Sequence, residues 1–357
     1  MNIHIMLDAI FTRDYANFLN RNYNNNIIYV RRTSNMKYVD ESINNLYVVD
    51  KFPSNLFKKI GNDKLFIHGI YDWDIIKFLF KNLKKIDSQK IVIAIWGRDL
   101  YNNYFTLMDN KLHIKVRALE YMKKKILKKC SMYMTFASPD FDLLCDIYGV
   151  DGKQFDCLYP ASIDEQFLTK ILNNTKVDKN DCINILVGNS ATRTNQHREV
   201  LEVLRKFKDE KIKIFCPLSY GDGEEYKNSI INMGKNVFGD KFIPITEFME
   251  QKEYVNFLNK MDIAIFNNNR QQATANIDML GFLKKKIFIR SDVAMWGHYV
   301  VRDKCNFFDT KTIGDLSFAE FCDFDYHLAE KNNQYFSKIW SEEYIKKIWN
   351  IIFDYKL

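Results

Sequence analysis

Glycine and proline are scarce in this chain, at 13 and 5 of 357 residues, so a collagen-like or a Pro/Gly-rich disordered protein is excluded. The few glycines form neither GxGxxG after the first strand pattern nor GxxxxGK[ST]. A dinucleotide-binding oxidoreductase and a P-loop ATPase are therefore disfavoured. GxSxG and HExxH are also missing, which removes the signatures of α/β-hydrolases and zinc peptidases. The 7 cysteines are odd in number and include no CxxC pair, which fits reduced thiols in the cytosol better than disulfides or a zinc site. No run approaches the ~18 apolar residues of a membrane span. The opening MNIHIMLDAIF starts on a strand pattern without a basic region before a long apolar core, so no signal peptide is expected. Internal repeats and low-complexity tracts are lacking as well.

What the chain does have is apolar and aromatic material, 47% and 15%, enough for the cores of two ordinary domains. Its net charge of +7 is uneven. Residues 1–170 carry 25 Lys and Arg against 19 Asp and Glu, and residues 171–357 carry 27 against 26. Lys111 to Lys129 alone holds eight basic residues against the single Glu120. A local basic patch points to an anionic partner: a membrane surface, a phosphorylated lipid or nucleic acid. A nucleic-acid binder ranks low, because no recognisable fold offers stacking aromatics beside the patch.

Short β-branched runs alternate with helical patterns along both halves. Strands are expected at 3–7, 27–30, 46–49, 65–68, 91–95, 132–136 and 155–159, then at 183–187, 212–216, 242–245, 263–266 and 287–290. Helices are expected between them, among them 72–86, a basic helix at 113–129, 196–207, 224–237, 247–261 and 271–283, with an amphipathic helix at 342–355 closing the chain. Alternation of this kind implies parallel sheets covered by helices. The polar LTKILNNTKVDKND at 168–181 reads as a linker between a domain at 1–167 and one at 182–340, followed by the C-terminal helix at 341–357. Two such domains would leave a cleft at the C-terminal ends of their strands, where open α/β sheets bind ligands.

The loop after the first strand of the second half is the strongest local signal. Gly188, Asn189 and Ser190 break the strand, Asn195 reads as the N-cap of a helix, and His197 lies in its first turn. Backbone N–H groups, short polar side chains and a helix N-terminus suit a diphosphate; the same pattern also describes an ordinary capped βα unit. Tyr220 in PLSYGDG could stack on a base. Arg270, Gln271, Gln272 and Thr274 in NNNRQQAT could clamp phosphate or sugar hydroxyls. In the first half the strand ends offer Asp8, His68 and the run Trp96, Gly97, Arg98, Asp99, Leu100, Tyr101. A transfer reaction needs a base near the acceptor hydroxyl, and Asp99, His68 and Asp8 are the candidates in that order. The carboxylates could equally cap helices, and His68 could be a structural histidine.

These motifs together carry a resemblance. GNSATRTNQH, PLSYG, NNNRQQAT and HG followed by WGRDLY resemble the motifs of the bacterial TDP-N-acetylfucosamine:lipid II N-acetylfucosaminyltransferases of enterobacterial common antigen synthesis. The resemblance runs from about His68 to Trp349 and is strongest over 183–300. It implies a GT-B glycosyltransferase of two Rossmann-like parallel-sheet domains facing a central cleft, with the C-terminal helix packing back. It places the nucleotide-sugar at Gly188, Asn189, Ser190, Asn195, His197, Arg270, Gln271 and Gln272. His68, Gly69, Trp96, Gly97, Asp99, Leu100 and Tyr101 match the acceptor-side turns. Ala191-Thr192 and Ala273 and Ala275 depart from the Gly-Asp and glycines of the family, so the donor sugar stays open. An O-antigen or capsule transferase fits as well as a common-antigen enzyme.

The expected protein is thus cytoplasmic and peripheral on the inner face of the bacterial inner membrane. It would move a deoxy-amino sugar from a dTDP-type donor to a lipid-diphosphate-linked saccharide. No nucleic acid and no cofactor are expected, and no metal either, since Asp72-Trp73-Asp74 opens a helix rather than ending a strand. Lys115, Lys123, Lys124, Lys128 and Lys129 are the expected contacts to the anionic membrane. A two-domain nucleotide-sugar binder without turnover is the alternative.

Overall fold

The computed structural model describes residues 1–39, 42–60, 63–101, 114–160, 165–174 and 182–356. The chain divides into two compact units, Met1–Ser162 with Glu342–Leu357, and Ile163–Ser341. In the first, seven parallel strands, β1 (Asn2–Met6), β2 (Asn26–Arg31), β3 (Leu46–Val49), β4 (Leu65–His68), β5 (Ile91–Ile95), β6 (Met132–Thr135) and β7 (Lys153–Asp156), take the order β3-β2-β1-β4-β5-β6-β7. The order reverses between β1 and β4, which pair with Ile3 opposite Leu65 and Ile5 opposite Ile67. These central strands are buried on both faces, so they read as continuous apolar runs rather than alternating ones.

Helices cover both faces. Helix α1 (Ile10–Asn22) follows β1, and α2 (Trp73–Lys81) buries Ile75, Ile76 and Leu79. Removing each such side chain from water contributes roughly 1.5–3 kcal/mol. Asp72 starts α2 by accepting from the N–H groups of Asp74 and Ile75, both at 3.0 Å. Helices α3 (Ile114–Leu127) and α4 (Asp140–Tyr148) complete the expected set. Residues 111–113 of the basic stretch lie outside the described residues.

The basic helix differs from its expected form at Lys123. This lysine is fully buried: its ammonium meets Glu120 at 2.9 Å and the backbone oxygen of Asp99 at 2.7 Å, and lies over the Tyr148 ring. Tyr148 in turn donates to Glu120 at 2.8 Å. Lys123 stands on the apolar stripe with Ile126 and Leu127, so a charge on that stripe is buried with its counter-ion instead of facing a membrane. Lys115, Lys124, Lys125, Lys128 and Lys129 are exposed.

The second unit has six parallel strands, β8 (Ile183–Val187), β9 (Ile212–Pro217), β10 (Phe242–Ile245), β11 (Ile263–Phe266), β12 (Lys286–Ile289) and β13 (Phe308–Asp309), in the order β10-β9-β8-β11-β12-β13. The order reverses between β8 and β11. Helix α5 (Glu165–Asn174) occupies the first half of the expected linker, with Leu168 fully buried, and residues 175–181 lie outside the described residues. The Asn and Lys around and after it hid an amphipathic helix whose apolar positions are Phe167, Leu168, Ile171 and Leu172. Helices α6 (His197–Leu204), α7 (Glu224–Phe238), α8 (Gln251–Asn259) and α9 (Thr274–Phe282) follow their strands. Helix α10 (Tyr326–Trp340), which periodicity did not reveal, packs on α9. The approach is close because residue 281 is glycine: a Cβ there would fall 2.1 Å from the Phe336 ring. Helix α11 (Glu342–Asp354) belongs to the first unit, where Ile345, Trp349 and Ile352 join the core around Met6, Tyr15, Phe18 and Phe66.

That core contains two histidines. His4 on β1 and His68 at the end of β4 are 0% exposed, their facing ring nitrogens 3.0 Å apart, and the outer nitrogen of His4 meets Asn26 Oδ1 at 3.2 Å. Burial pushes His4 down to about 3 and His68 well below 6.5, so both are neutral. The unfolded chain therefore binds protons that the folded one refuses. Stability is full above about pH 6.5 and falls as pH drops below it, by about 2 kcal/mol at pH 5 for His4 alone. Calorimetry should show the melting midpoint of the first unit lower by roughly 5–10 °C at pH 5.0 than at pH 7.5. A His4→Gln variant should lose a large part of that dependence, whereas an identical slope would remove His4 as its source.

Candidate functional site

Both topological reversals place a pair of loops at strand C-termini, where doubly wound sheets receive ligands. In the second unit these are the loop after β8, residues 188–196, and the loop after β11, residues 267–273. Asn195 ties them together. Its carboxamide oxygen accepts from the N–H of Asn189 and the amide of Asn268, each at 3.1 Å. Its amide nitrogen donates to Thr192 Oγ1 at 2.7 Å and to the Ser190 carbonyl at 3.1 Å. Asn195 is 0% exposed, so it holds the loop from beneath and does not cap the helix. The N-cap of α6 is Gln196, in the left-handed conformation at φ 51°.

Gln272 closes the second loop onto the first. It donates to Asn189 Oδ1, Ser190 Oγ and Thr192 Oγ1 at 3.0–3.3 Å and accepts from Thr194 Oγ1 at 2.6 Å. Ser190, Thr192 and Thr194 form a ladder of hydroxyls 3.1 and 3.2 Å apart. The two threonines were missed in the sequence, although hydroxyls at every second position of a loop are the available signal. The loop after β9 joins through a bridge between Ala191 and Gly221 and through Asp222, which accepts from the N–H of Arg193. Tyr220, 56% exposed, receives a bond from Asn189 at 3.3 Å.

Several polar groups here have no protein partner. His197 Nε2, Asn268 Oδ1 and Asn269 Oδ1 are buried and unbonded. Burial lowers His197 to about 4, so its ring is neutral, with Nδ1 3.1 Å from the Tyr226 hydroxyl. Gly188, at φ 70°, lies over this ring: a Cβ would come within 2.7 Å of His197 Nε2 and 2.8 Å of Asn195 Oδ1. Helices α6 and α9 both begin without a side-chain cap, after Gln196 and after Ala273 at φ 62°. Their first N–H groups suit an anion. Half-buried Arg270 and Thr274 flank the start of α9, with Arg270 Nη1 3.2 Å from the Gln271 carbonyl, while Gln271 itself is buried.

In the first unit the three expected bases are all engaged. Asp8 accepts from the N–H groups of Lys37, Tyr38 and Val39 at 2.5–3.0 Å and clamps the loop after β2. Asp99, 2% exposed, accepts from Trp96 N–H at 2.8 Å and Ile70 N–H at 3.1 Å, fastening the turns after β4 and β5. Burial raises its pKa, opposed by these N–H bonds and by Lys123. His68 Nδ1 lies 2.5 Å from the Tyr159 hydroxyl, which accepts from Trp96 Nε1 at 3.2 Å. With both imidazoles neutral, one direction of donation fits every bond: Trp96 to Tyr159 to His68 to His4 to Asn26. His68 thus orients Trp96 and has neither nitrogen left for a substrate. Tyr101 is also turned inward, donating to Asp140 at 2.5 Å, and Gly97 is buried, so of the expected acceptor-side residues Trp96 alone is half-exposed.

Comparison with known proteins identifies a family and a fold. A family described as "4-alpha-L-fucosyltransferase glycosyl transferase group 56" matches residues 37–347. A glycosyltransferase from Rickettsia africae aligns over 99% of this chain and 97% of its own, at 12% identity and a TM-score of 0.64. WaaG, a glycosyltransferase of lipopolysaccharide biosynthesis, aligns over 99% and 100% at 9% identity and 0.64. Sucrose-phosphate synthase from Thermosynechococcus elongatus aligns over 98% and 97% at 9% identity and 0.68. The fold is the GT-B fold.

Gly188→Ala tests the loop after β8. The methyl group meets two buried polar atoms in a backbone region that alanine resists, so a stability loss of about 1–3 kcal/mol is expected from strain and overpacking. A variant that melts within 1 °C of the parent would show that this loop is not held as described.

Proposed function

Because the chain belongs to the 4-alpha-L-fucosyltransferase family, glycosyltransferase group 56, we propose that it transfers a deoxy-amino sugar such as N-acetylfucosamine from a dTDP-type nucleotide diphosphate to a lipid-linked saccharide, in the synthesis of a bacterial surface polysaccharide. The observation that carries the donor side is the set of buried, unbonded polar atoms, His197 Nε2, Asn268 Oδ1 and Asn269 Oδ1, beside two uncapped helix starts. Groups left unpaired inside a protein cost free energy that a bound ligand recovers.

In this reading the diphosphate rests against the loop amides and the start of α9, where Arg270 lies. Charge grows on the leaving diphosphate as the glycosidic bond breaks, and a guanidinium with preset N–H donors stabilises that charge more than the ground state. Tyr220, exposed and held at its hydroxyl by Asn189, offers its ring to the base. Asn195 and Gln272 position these groups.

Arg270→Ala should lower kcat/KM by about 2–4 kcal/mol, a factor of roughly 30 to 10³, with the melting temperature nearly unchanged. Turnover of a radiolabelled nucleotide-sugar at the parental rate would move the diphosphate elsewhere.

The exposed lysines of α3, Lys115, Lys124, Lys125, Lys128 and Lys129, support peripheral docking on an anionic membrane. Each contributes about 1 kcal/mol near such a surface. No described helix is long and apolar enough to cross a membrane. Sedimentation with phosphatidylglycerol liposomes should be lost at high salt and in a variant with Lys115, Lys124, Lys128 and Lys129 changed to Glu. Binding indifferent to both would take α3 out of the mechanism.

A further inference from the structure

Five neighbouring strands of the first sheet, β1, β4, β5, β6 and β7, each hand over to a loop or helix start that contributes an aromatic residue to one row: Phe11, Tyr71, Trp96, Phe136 and Tyr159. All five are half-buried, in contrast to the fully buried core aromatics such as Tyr15 and Trp349 beside them. They touch one another. Phe11 stands edge-on to Trp96 with centroids 4.6 Å apart and lies 5.0 Å from Tyr159, while Phe136 is 5.8 Å from Tyr159 and Tyr71 is 6.3 Å from Trp96. At the rim, exposed Arg98 lies over the Tyr71 ring at 5.1 Å.

Two members of the row are fixed by hydrogen bonds. The indole N–H of Trp96 is bonded to Tyr159, whose hydroxyl is held by His68, and the backbone of Trp96 is fastened by Asp99. A side chain serving only as core filler needs no such double fixing. Partly exposed rings held in place at the C-terminal edge of a doubly wound sheet are suited to a ligand with flat apolar C–H faces and hydroxyl edges. A pyranose ring has both. The guanidinium at the rim adds complementarity to a phosphate on such a ligand.

We infer that Phe11, Trp96, Phe136 and Tyr159 form a stacking platform for a pyranose ring of the acceptor, with Arg98 placed for the diphosphate that links the saccharide to its lipid. The inference rests on the acceptor class proposed above and assigns it a binding surface. Trp96 and Phe136 supply the faces; Tyr159 and Phe11 set their angles.

The test measures binding to a panel of farnesyl-diphosphate-linked mono- and disaccharides of N-acetylhexosamines, with sugar-free farnesyl diphosphate as the control. Donor binding is followed separately by calorimetry with dTDP-sugars. The parent protein should bind at least one saccharide conjugate more tightly than farnesyl diphosphate. Trp96→Leu and Phe136→Leu should each weaken that binding at least tenfold, Arg98→Gln should weaken it severalfold, and all three should keep the donor dissociation constant within twofold. Should Trp96→Leu fail to fold, Trp96→Phe and Phe136→Leu carry the test, with Trp96→Phe retaining most of the affinity. No saccharide-dependent binding by the parent, equal binding by parent and Phe136→Leu, or equal binding of farnesyl diphosphate and the conjugates overturns the platform. Donor binding by the parent in any of those outcomes leaves the transferase reading standing; its absence counts against that reading alone.

Discussion

The carboxamide of Asn195 is the contact on which the second unit's loops depend. Loops at the ends of a parallel sheet have no ladder to satisfy their backbone, yet must stay open for a ligand. One side chain with two donors and an acceptor solves this from below: it holds Asn189, Ser190, Thr192 and Asn268 at once and presents nothing to solvent. Its neighbours can then leave polar atoms unbonded, because the fold no longer relies on them.

The first unit solves the same problem with carboxylates. Asp8 and Asp99 sit where reaction chemistry would look for a base, but both spend their oxygens on backbone N–H groups of neighbouring loops. The buried Lys123, bonded to Glu120 and to the Asp99 carbonyl, links this clamp to helix α3. Breaking a buried pair of this kind typically costs about 3–5 kcal/mol, because the remaining charge is stranded. Polar residues near a site therefore divide into those that hold it and those that face it, and burial separates the two classes.

Much of the fold was legible in the sequence because parallel strands buried on both faces are written as apolar runs. Ile91 to Ile95 and Ile183 to Val187 needed no tertiary information. Helix α5 was hidden by its Asn and Lys content, and α10 by buried Asn332, which bonds Asn306 instead of marking a turn. In the loops after β8 and β11, motif order singled out Gly188, Asn195, Arg270 and Gln272 but could not separate facing from holding. That distinction depends on which atoms are covered once the strands are aligned. Lys123 was the recoverable error, since it lies on the same face as Ile126 and Leu127 and three residues after the helix's only acid. The aromatic row was not recoverable: Phe11 and Tyr159 are 148 positions apart in sequence, and only the strand order makes them neighbours.

Helix α11 gives the chain an unusual order of assembly. Trp349, fully buried and bonded to the Leu158 carbonyl, is part of the core around β1, although the whole second unit separates the two in sequence. A ribosome making this protein emits most of the first unit before the second unit and its closing helix after it. At typical translation rates of about 5–20 residues per second, the stretch between them takes roughly ten seconds or more to emerge. Throughout that interval the groove that receives Trp349 stays uncovered, while the second unit can finish folding on its own. The nascent chain thus meets chaperones with its first unit still incomplete, and the usual rule that the earlier of two domains matures first is inverted.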